Sequence, residues 1–537
     1  MSQLLPILGG VLLAWFVLAL FHEAYFKELL YDDAYNASVA KNFSLGLGWV
    51  SSYHDYLPFN PRVTTGPTLL LPLAGAIALF GHPEWLPNVT NSALMLLVLI
   101  ACARQLRFLL DCEDWWVPCL AILLLLSLYD RNTWVVFIGD GVLALLLALI
   151  FLRLGPTLAE PGRRSHLALG LLCGLALLSK FYALIALTAL PVTWLLYHWQ
   201  GGGRPSWSNL AYLLLGAGLL LLPWQLYREL SLAALPVAER ADHAEFAREF
   251  FLSAGSGLGP LLAADHPLLY LQDNLYKNFQ LLARQLDIYG RGEVLTGLLL
   301  LSVAGLTLRL LFKPGKSAFE WSLTALGLGA CAHFGWFLLF MHSPWIHYAR
   351  IGVILSIFFL PLHFSPLLRG RAVLAAALLF LALLPAHKQQ AWADFMSFQA
   401  ERTQGSKDLE ALVLALDRTQ YPAPLAGCGW LVPRMLEYRL PGSLHMQDCM
   451  LLIQEQLREE EQAGQGPVSL SQPLVFTIPM HNILWDWAGR GHRMERSIKQ
   501  YCPDSLWDSP TYSILRCEVD ELPEELLVYL RDYRFRS

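Results

Sequence analysis

Charge is what this chain is short of. Asp, Glu, Lys and Arg make up 15% of its 537 residues, against about 25% in ordinary soluble domains, which excludes a conventional water-soluble enzyme. Intrinsic disorder is excluded too, because a chain that is 55% hydrophobic has ample apolar surface to bury. The formal net charge is −5 and no Lys/Arg run is present, so the electrostatic footprint of a nucleic-acid binder is missing and no nucleic-acid partner is expected. The nine cysteines form no CxxC, HExxH or zinc-type Cys/His spacing, which leaves a structural metal site without support. The glycine-rich stretch Ala254 to Pro260 lacks the Lys-Ser/Thr of a phosphate-cradling loop and reads as a gating loop instead. Asp265, His266 and Asp273 nearby can touch an acceptor, and a solvated surface explains them equally well.

What the chain does have is apolar runs of bilayer-spanning length. Leu4 to Phe21 is 18 residues without a charge, and with no basic flank or small-x-small cleavage site it reads as a retained first span. The stretch Leu167 to Trp199 is too long for one span of about 20 residues and is interrupted by Lys180. Split there into a hairpin, it keeps Arg204, Lys313 and Lys316 on the same side as Arg153, Arg163, Arg164, Arg369 and Arg371, as the positive-inside bias requires. Thr68 to Phe80 is placed at the interface and Ala93 to Ala103 across the bilayer. Further spans fall at roughly 115–129, 133–152, 209–225, 294–312, 320–341, 348–364 and 371–385. The expected fold is an α-helical polytopic membrane protein of about 11 transmembrane helices over residues 1–385, with the N-terminus cytoplasmic. A small extracytoplasmic mixed α/β domain is expected over 386–537. Two outer loops, 23–65 and 229–293, join that domain on the outer side. Cys428, Cys449, Cys502 and Cys517 fall in the outer domain and permit two disulfides in three connectivities.

The first outer loop carries Tyr31-Asp32-Asp33-Ala34-Tyr35, then Phe59-Asn60-Pro61-Arg62 and Thr64-Thr65-Gly66-Pro67. An adjacent carboxylate pair before an aromatic, Gly-rich segment suits an acceptor held against a membrane-resident donor, with Tyr35, Arg62 and Gly66 as the substrate-loop residues. A carboxylate there can act as general base for an attacking hydroxyl. Asp33 is favoured over Asp32 by a small margin. Spacing leaves open whether the second acid orients the base, binds a divalent ion such as Mg or Mn, or faces water. The outer compartment normally lacks nucleotide sugars, and a bound lipid phosphate can supply an activated sugar bond there. Departure of the sugar leaves an anion that calls for cations near the membrane plane. Lys180, Arg350 and Arg291 answer that description, with His347 and His342 as donors. For Lys180 and Arg350 the competing reading is interfacial snorkelling. His333, on an apolar stretch, reads as a satisfied core residue.

On these residues the sequence resembles the GT-C superfamily of polyprenyl-phosphate-sugar-dependent glycosyltransferases, in the branch of the protein mannosyltransferases and lipid A aminoarabinose transferases. Asp32-Asp33, Thr65-Gly66-Pro67, Gly139-Asp140-Gly141, Gly170 through Ser179-Lys180, Pro223-Trp224 and Tyr348-Ala349-Arg350 carry the resemblance over about residues 1–385. It implies inverting transfer of one sugar from a polyprenyl-phosphate donor, undecaprenyl rather than dolichol, to an acceptor hydroxyl. The acceptor would be a protein, lipid A or an envelope glycan on the outer face of a bacterial inner membrane. It places Asp32 or Asp33 at the catalytic position and Asp140 at the second acidic position. Asp32 and Asp140 are the residues for a divalent metal, if one is used. Asp140 is the lone charge from Thr133 to Leu152, and such carboxylates are costly unless they face a cavity or partner. The rival readings are a lipid-linked oligosaccharide ligase or polymerase and, less well matched because no internal repeat is present, a secondary transporter.

Overall fold

The computed structural model describes residues 4–27, 29, 32–51, 56–110, 115–128, 135–203, 206–252, 256–287, 291–342 and 346–365, and of the C-terminal region 407–408, 411–414, 425–427, 432–439, 446–448, 474–477, 504–508 and 512–516. These fall into two compact units, residues 1–25, 61–72 and 88–384, and residues 26–60, 73–87 and 385–537.

The first unit is a bundle of apolar helices. Among the described residues five are long and apolar enough to cross a membrane: Leu86–Leu110, Asp140–Ala159, Trp207–Ala233, Gly292–Phe312 and Ala318–Phe340. Shorter apolar helices cover Phe16–Phe26, Ala183–Trp199 and His347–His363, and Pro67–Phe80 is divided between the two units after Pro72. The chain is a multi-pass membrane protein on this composition. Its core element is the Asp140–Ala159 helix, buried on all sides, which packs against Ala318–Phe340, Arg350–His363 and Arg163–Ser179. Lipid offers no hydrophobic drive between helices, so close packing and interhelical hydrogen bonds hold such a bundle. Here Ser322 Oγ donates to the Leu152 carbonyl at 2.7 Å and accepts from the Gly155 amide at 3.2 Å. The Trp207–Ala233 helix packs on Arg163–Ser179 and leaves Leu214, Leu222 and Leu226 exposed, as a lipid-facing surface should.

Several expected boundaries move. The span expected at 133–152 begins at Asp140 and runs to Ala159, because Gly139 takes a left-handed conformation and starts the helix there. The span expected at 209–225 extends to Ala233. The long loop expected at 229–293 is largely helical, as Val237–Phe250, Leu258–Ala263 and Pro267–Gln285. In the last of these Asn274, Asn278 and Leu282 are buried, a spacing of four that puts them on one helical face. The apolar stretch 167–199 does break at Lys180: one helix ends at Ser179 and the next begins at Ala183. The span expected at 371–385 and the four outer cysteines lie outside the described residues.

The second unit contains the Asp32–Ser44 helix, buried from Asp33 to Asn42, and a five-stranded sheet. The strands are β1 (Leu425–Gly427), β2 (Met446–Asp448), β3 (Leu474–Thr477), β4 (Asp504–Asp508) and β5 (Tyr512–Arg516) in the order β2-β1-β3-β5-β4. Strand β1 pairs in parallel with β2 and β3, and β5 pairs antiparallel with β3 and β4. A parallel pair needs a crossover, and the Val432–Arg439 helix lies in the one between β1 and β2. That helix packs against Asp32–Ser44.

Candidate functional site

Among the described residues of the first unit, a cluster of buried charge forms where helix ends meet. Gly139, at φ 82°, sets the start of the helix that opens with Asp140. A Cβ on Gly139 would lie 3.1 Å from a Leu69 side-chain carbon. The Arg163–Ser179 helix ends at Lys180. A carboxylate at a helix N-terminus and a cation at a C-terminus are both favoured by the helix dipoles. The Thr65-Gly66 segment ties these ends together: Thr65 Oγ1 donates to the Ile138 carbonyl at 3.0 Å, and the Gly66 amide donates to the Ser179 carbonyl at 2.7 Å. Only glycine fits at position 66, because a Cβ would sit 2.0 Å from the Leu178 carbonyl oxygen.

Lys180 Nζ lies 2.7 Å from Asp140 Oδ1, and both side chains are almost wholly enclosed. The Tyr182 hydroxyl donates to the same oxygen. On the other oxygen, Oδ2, Arg350 Nη1 approaches to 3.9 Å. His347, in the single turn Ile346–Ala349, is a further electrostatic neighbour of Asp140. Lys180 Nζ also stands 5.3 Å above the Tyr182 ring, within range of a cation–π attraction. An aromatic wall backs the cluster. Tyr182 stacks on Trp336 with centroids 6.0 Å apart and meets Tyr348 edge-on at 5.6 Å. His333 Nε2 hydrogen-bonds the Tyr348 carbonyl at 2.7 Å, and Trp336 Nε1 donates to the Ser256 carbonyl at 3.2 Å. Gly257, next in the chain, caps the Leu258–Ala263 helix rather than lining a phosphate loop.

Asp140, Lys180, Arg350 and His347 are thus brought together, with Gly66 bonded to the residue before Lys180. Arg291 is not. It is exposed at the entrance to the Gly292–Phe312 helix, and its side chain makes no ion pair with Asp140 among the described residues. Arg62 lies over the Phe246 ring at 5.3 Å. His342 stacks on Tyr270 at 6.1 Å, and partial burial, with Lys277 nearby, lowers its pKa below the ordinary histidine value. Asp265, His266 and Asp273 are exposed. Asp32, Asp33 and Tyr35 belong to the second unit, in the first turn of the Asp32–Ser44 helix; Asp33 and Tyr35 are buried and Asp32 is half-buried. The sequence reading missed Tyr182 and Trp336. It treated His333 as a core residue, and the ring is indeed buried with a backbone partner, yet it also touches the aromatic wall, 5.3 Å from Trp336.

Among the described residues no group of three or more His, Cys, Asp or Glu side chains is placed to hold a metal ion. The donors of Asp140 fit one poorly, since Lys180 occupies Oδ1 and the Arg350 guanidinium faces Oδ2. A divalent ion there would have to displace a buried cation.

No protein-family model matches the chain, and no curated protein matches it. Two solved structures, both of one protein, are similar to it. The structure of ArnT from Cupriavidus metallidurans bound to undecaprenyl phosphate is 14% identical, with 94% of this chain and 97% of that chain covered and a TM-score of 0.57. The apo-state structure of the same protein is 11% identical, with 97% and 100% covered and a TM-score of 0.45. The likeness is one of fold, and with the structure of ArnT bound to undecaprenyl phosphate it extends over nearly the full length of both chains.

Proposed function

We propose that the protein is an inverting glycosyltransferase that moves a sugar from a polyprenyl-phosphate donor, undecaprenyl phosphate in a bacterial inner membrane, to an acceptor hydroxyl on the outer face. The observation that carries this reading is the buried Asp140–Lys180–Arg350 cluster within an ArnT-like fold. Two cationic side chains are held close to one carboxylate, and Arg350 also opens a helix, whose N-terminus itself favours anions. Such preorganised positive charge suits a phosphate that gains charge as its bond to the sugar breaks. In the reaction a carboxylate of the Asp32-Asp33 pair takes the proton of the acceptor hydroxyl. The acceptor oxygen then bonds the anomeric carbon while the carbon–phosphate oxygen bond breaks. Lys180 and Arg350 bind the departing phosphate, Asp140 and Tyr182 fix Lys180, and His347 adds a donor. Because Lys180 already fills the Asp140 carboxylate, Asp140 does this without a divalent ion. Any metal dependence falls to Asp32. The C-terminal unit faces the same outer compartment in this reading, and the acceptor is a protein, lipid A or an envelope glycan.

The test is transfer by purified full-length protein in nanodiscs from radiolabelled polyprenyl-phosphate sugars to an envelope extract, with and without EDTA. Asp33→Asn should lower the rate by about 10²–10⁴-fold, the size of a general-base contribution, with expression intact. Full activity in both Asp32→Asn and Asp33→Asn would remove the base assignment. No transfer from any donor in a broad panel would favour an oligosaccharide ligase or a transporter.

A further inference from the structure

The second unit buries a carboxylate that the proposed reaction does not use. Glu437, in the Val432–Arg439 helix, is 3% exposed. Its Oε1 accepts from Asn42 Nδ2 at 2.9 Å and its Oε2 from Ser51 Oγ at 2.7 Å. Its backbone carbonyl accepts from Lys41 Nζ at 2.6 Å, and Asn42 Nδ2 also donates to the Val50 carbonyl at 3.1 Å. One C-terminal residue thus holds the last turns of the Asp32–Ser44 helix and the segment that follows it. Its neighbours grip the next stretch of the N-terminal half. The Tyr438 hydroxyl donates to the Pro83 carbonyl at 3.1 Å, and Arg439 Nη1 pairs with Glu84 at 2.9 Å.

From these contacts we infer that the Val432–Arg439 helix is a clamp on the Asp32–Ser44 helix and that Glu437 is a positioning residue for its acidic first turn. The inference rests on the proposed role of Asp32-Asp33 and extends it, by giving the C-terminal region a part in catalysis. The helix is a rigid lever. Asp33 and Lys41 are eight positions apart, about 12 Å along the axis, so a shift at the gripped end is transmitted to the carboxylates. Misplacement by about 1 Å can cost about 10²-fold in rate. A carboxylate that accepts from both Asn42 and Ser51 fixes the helix end in position and in rotation, which a single apolar contact cannot do.

The experiment compares Glu437→Ala, Glu437→Gln and Ser51→Ala in the full-length protein in nanodiscs, by transfer kinetics and by amide hydrogen exchange. Glu437→Ala removes both acceptors and should lower kcat by about 10²-fold with donor KM within a factor of about two. Glu437→Gln keeps the length and one acceptor oxygen, and the Ser51 hydroxyl can turn to accept from the new amide, so it should restore activity to within about threefold of wild type. Ser51→Ala, the milder lesion, should fall between Gln and Ala at position 437. Exchange over residues 41–51 should rise in the order Gln, Ser51→Ala, Ala, while the Asp140–Ala159 helix keeps its protection. Equal loss in Gln and Ala would overturn the inference, because it would make Glu437 a charged participant. Wild-type kinetics and exchange in both Glu437→Ala and Ser51→Ala would overturn it as well. Exchange reads the clamp even if no donor supports transfer, so failure of the glycosyltransferase reading and failure of the clamp are separable.

Discussion

Asp140 and Glu437 are both buried carboxylates, and they are held in different ways. Asp140 sits against Lys180 and Arg350, so its environment is charge on charge. Glu437 accepts from the neutral side chains of Asn42 and Ser51, while Lys41 bonds the Glu437 main chain. Burying an ion pair costs much of what its attraction returns, and apolar residues of similar volume often do as well. A carboxylate that accepts from fitted side chains on two different segments also fixes geometry. In the proposed reaction the first arrangement keeps cations ready for an anion, and in the inferred clamp the second aligns a helix. On those two proposals, one region serves to bind charge and the other to hold position.

The largest effect that can break this comparison is expected at Asp140. Asp140→Ala leaves Lys180 buried beside the Arg350 guanidinium, and loss of one partner of such a pair costs about 3–5 kcal/mol, seen as a fall in thermal unfolding temperature in detergent. Asp140→Ala with Lys180→Met should recover much of that stability and no transfer activity. A double variant no more stable than the single one would show that the pair is not what Asp140 serves. Next in size is Gly66→Ala, whose Cβ would meet the Leu178 carbonyl at 2.0 Å. Backbone must move to admit it, at about 1–3 kcal/mol. Gly46→Ala, with φ +80° and nothing within 4 Å, should cost about 1–2 kcal/mol from backbone strain alone. The same melting experiment ranks the two.

The smallest effect sharpens the second region. Burial, then the Lys41 and Arg439 charges, lowers the His82 pKa from 6.5, and the ring lies edge-on to Tyr438 at 6.0 Å. Folding therefore favours neutral His82. Its contribution is fully present above about pH 6.5 and is lost as the pH falls through the folded-state value, because the unfolded chain takes up the proton first. The amide protection factors at 81–85, which compare exchange with the intrinsic rate at each pH, should fall between pH 7.5 and 5, and His82→Gln should flatten that fall.

Much of the first region was legible in the sequence. Asp140 is a lone charge in an apolar run, Lys180 interrupts a stretch too long for one helix, and Arg350 precedes another. Each is a local anomaly, and apolar surroundings make such anomalies costly enough to signal a partner. Tyr182 carried no such signal, since an aromatic ring in an apolar run is unremarkable until its hydroxyl is seen on Asp140. The helices within 229–293 were hidden by glycine and charge at their ends, although Asn274, Asn278 and Leu282 repeat every four residues. Glu437 was illegible for another reason. Its partners Asn42 and Ser51 lie 395 and 386 positions away, and no local pattern encodes a contact at that distance.

The 396 positions between Lys41 and Glu437 also set a clock. A ribosome adding ~5–20 residues per second needs roughly 20–80 s to travel from one to the other. Throughout that interval the Asp32–Ser44 helix lacks the carboxylate and carbonyl that receive Asn42, Ser51 and Lys41. A nascent chain whose apolar helices are already inserted therefore has its acidic turn unclamped. The grip closes only after the Val432–Arg439 helix has been made.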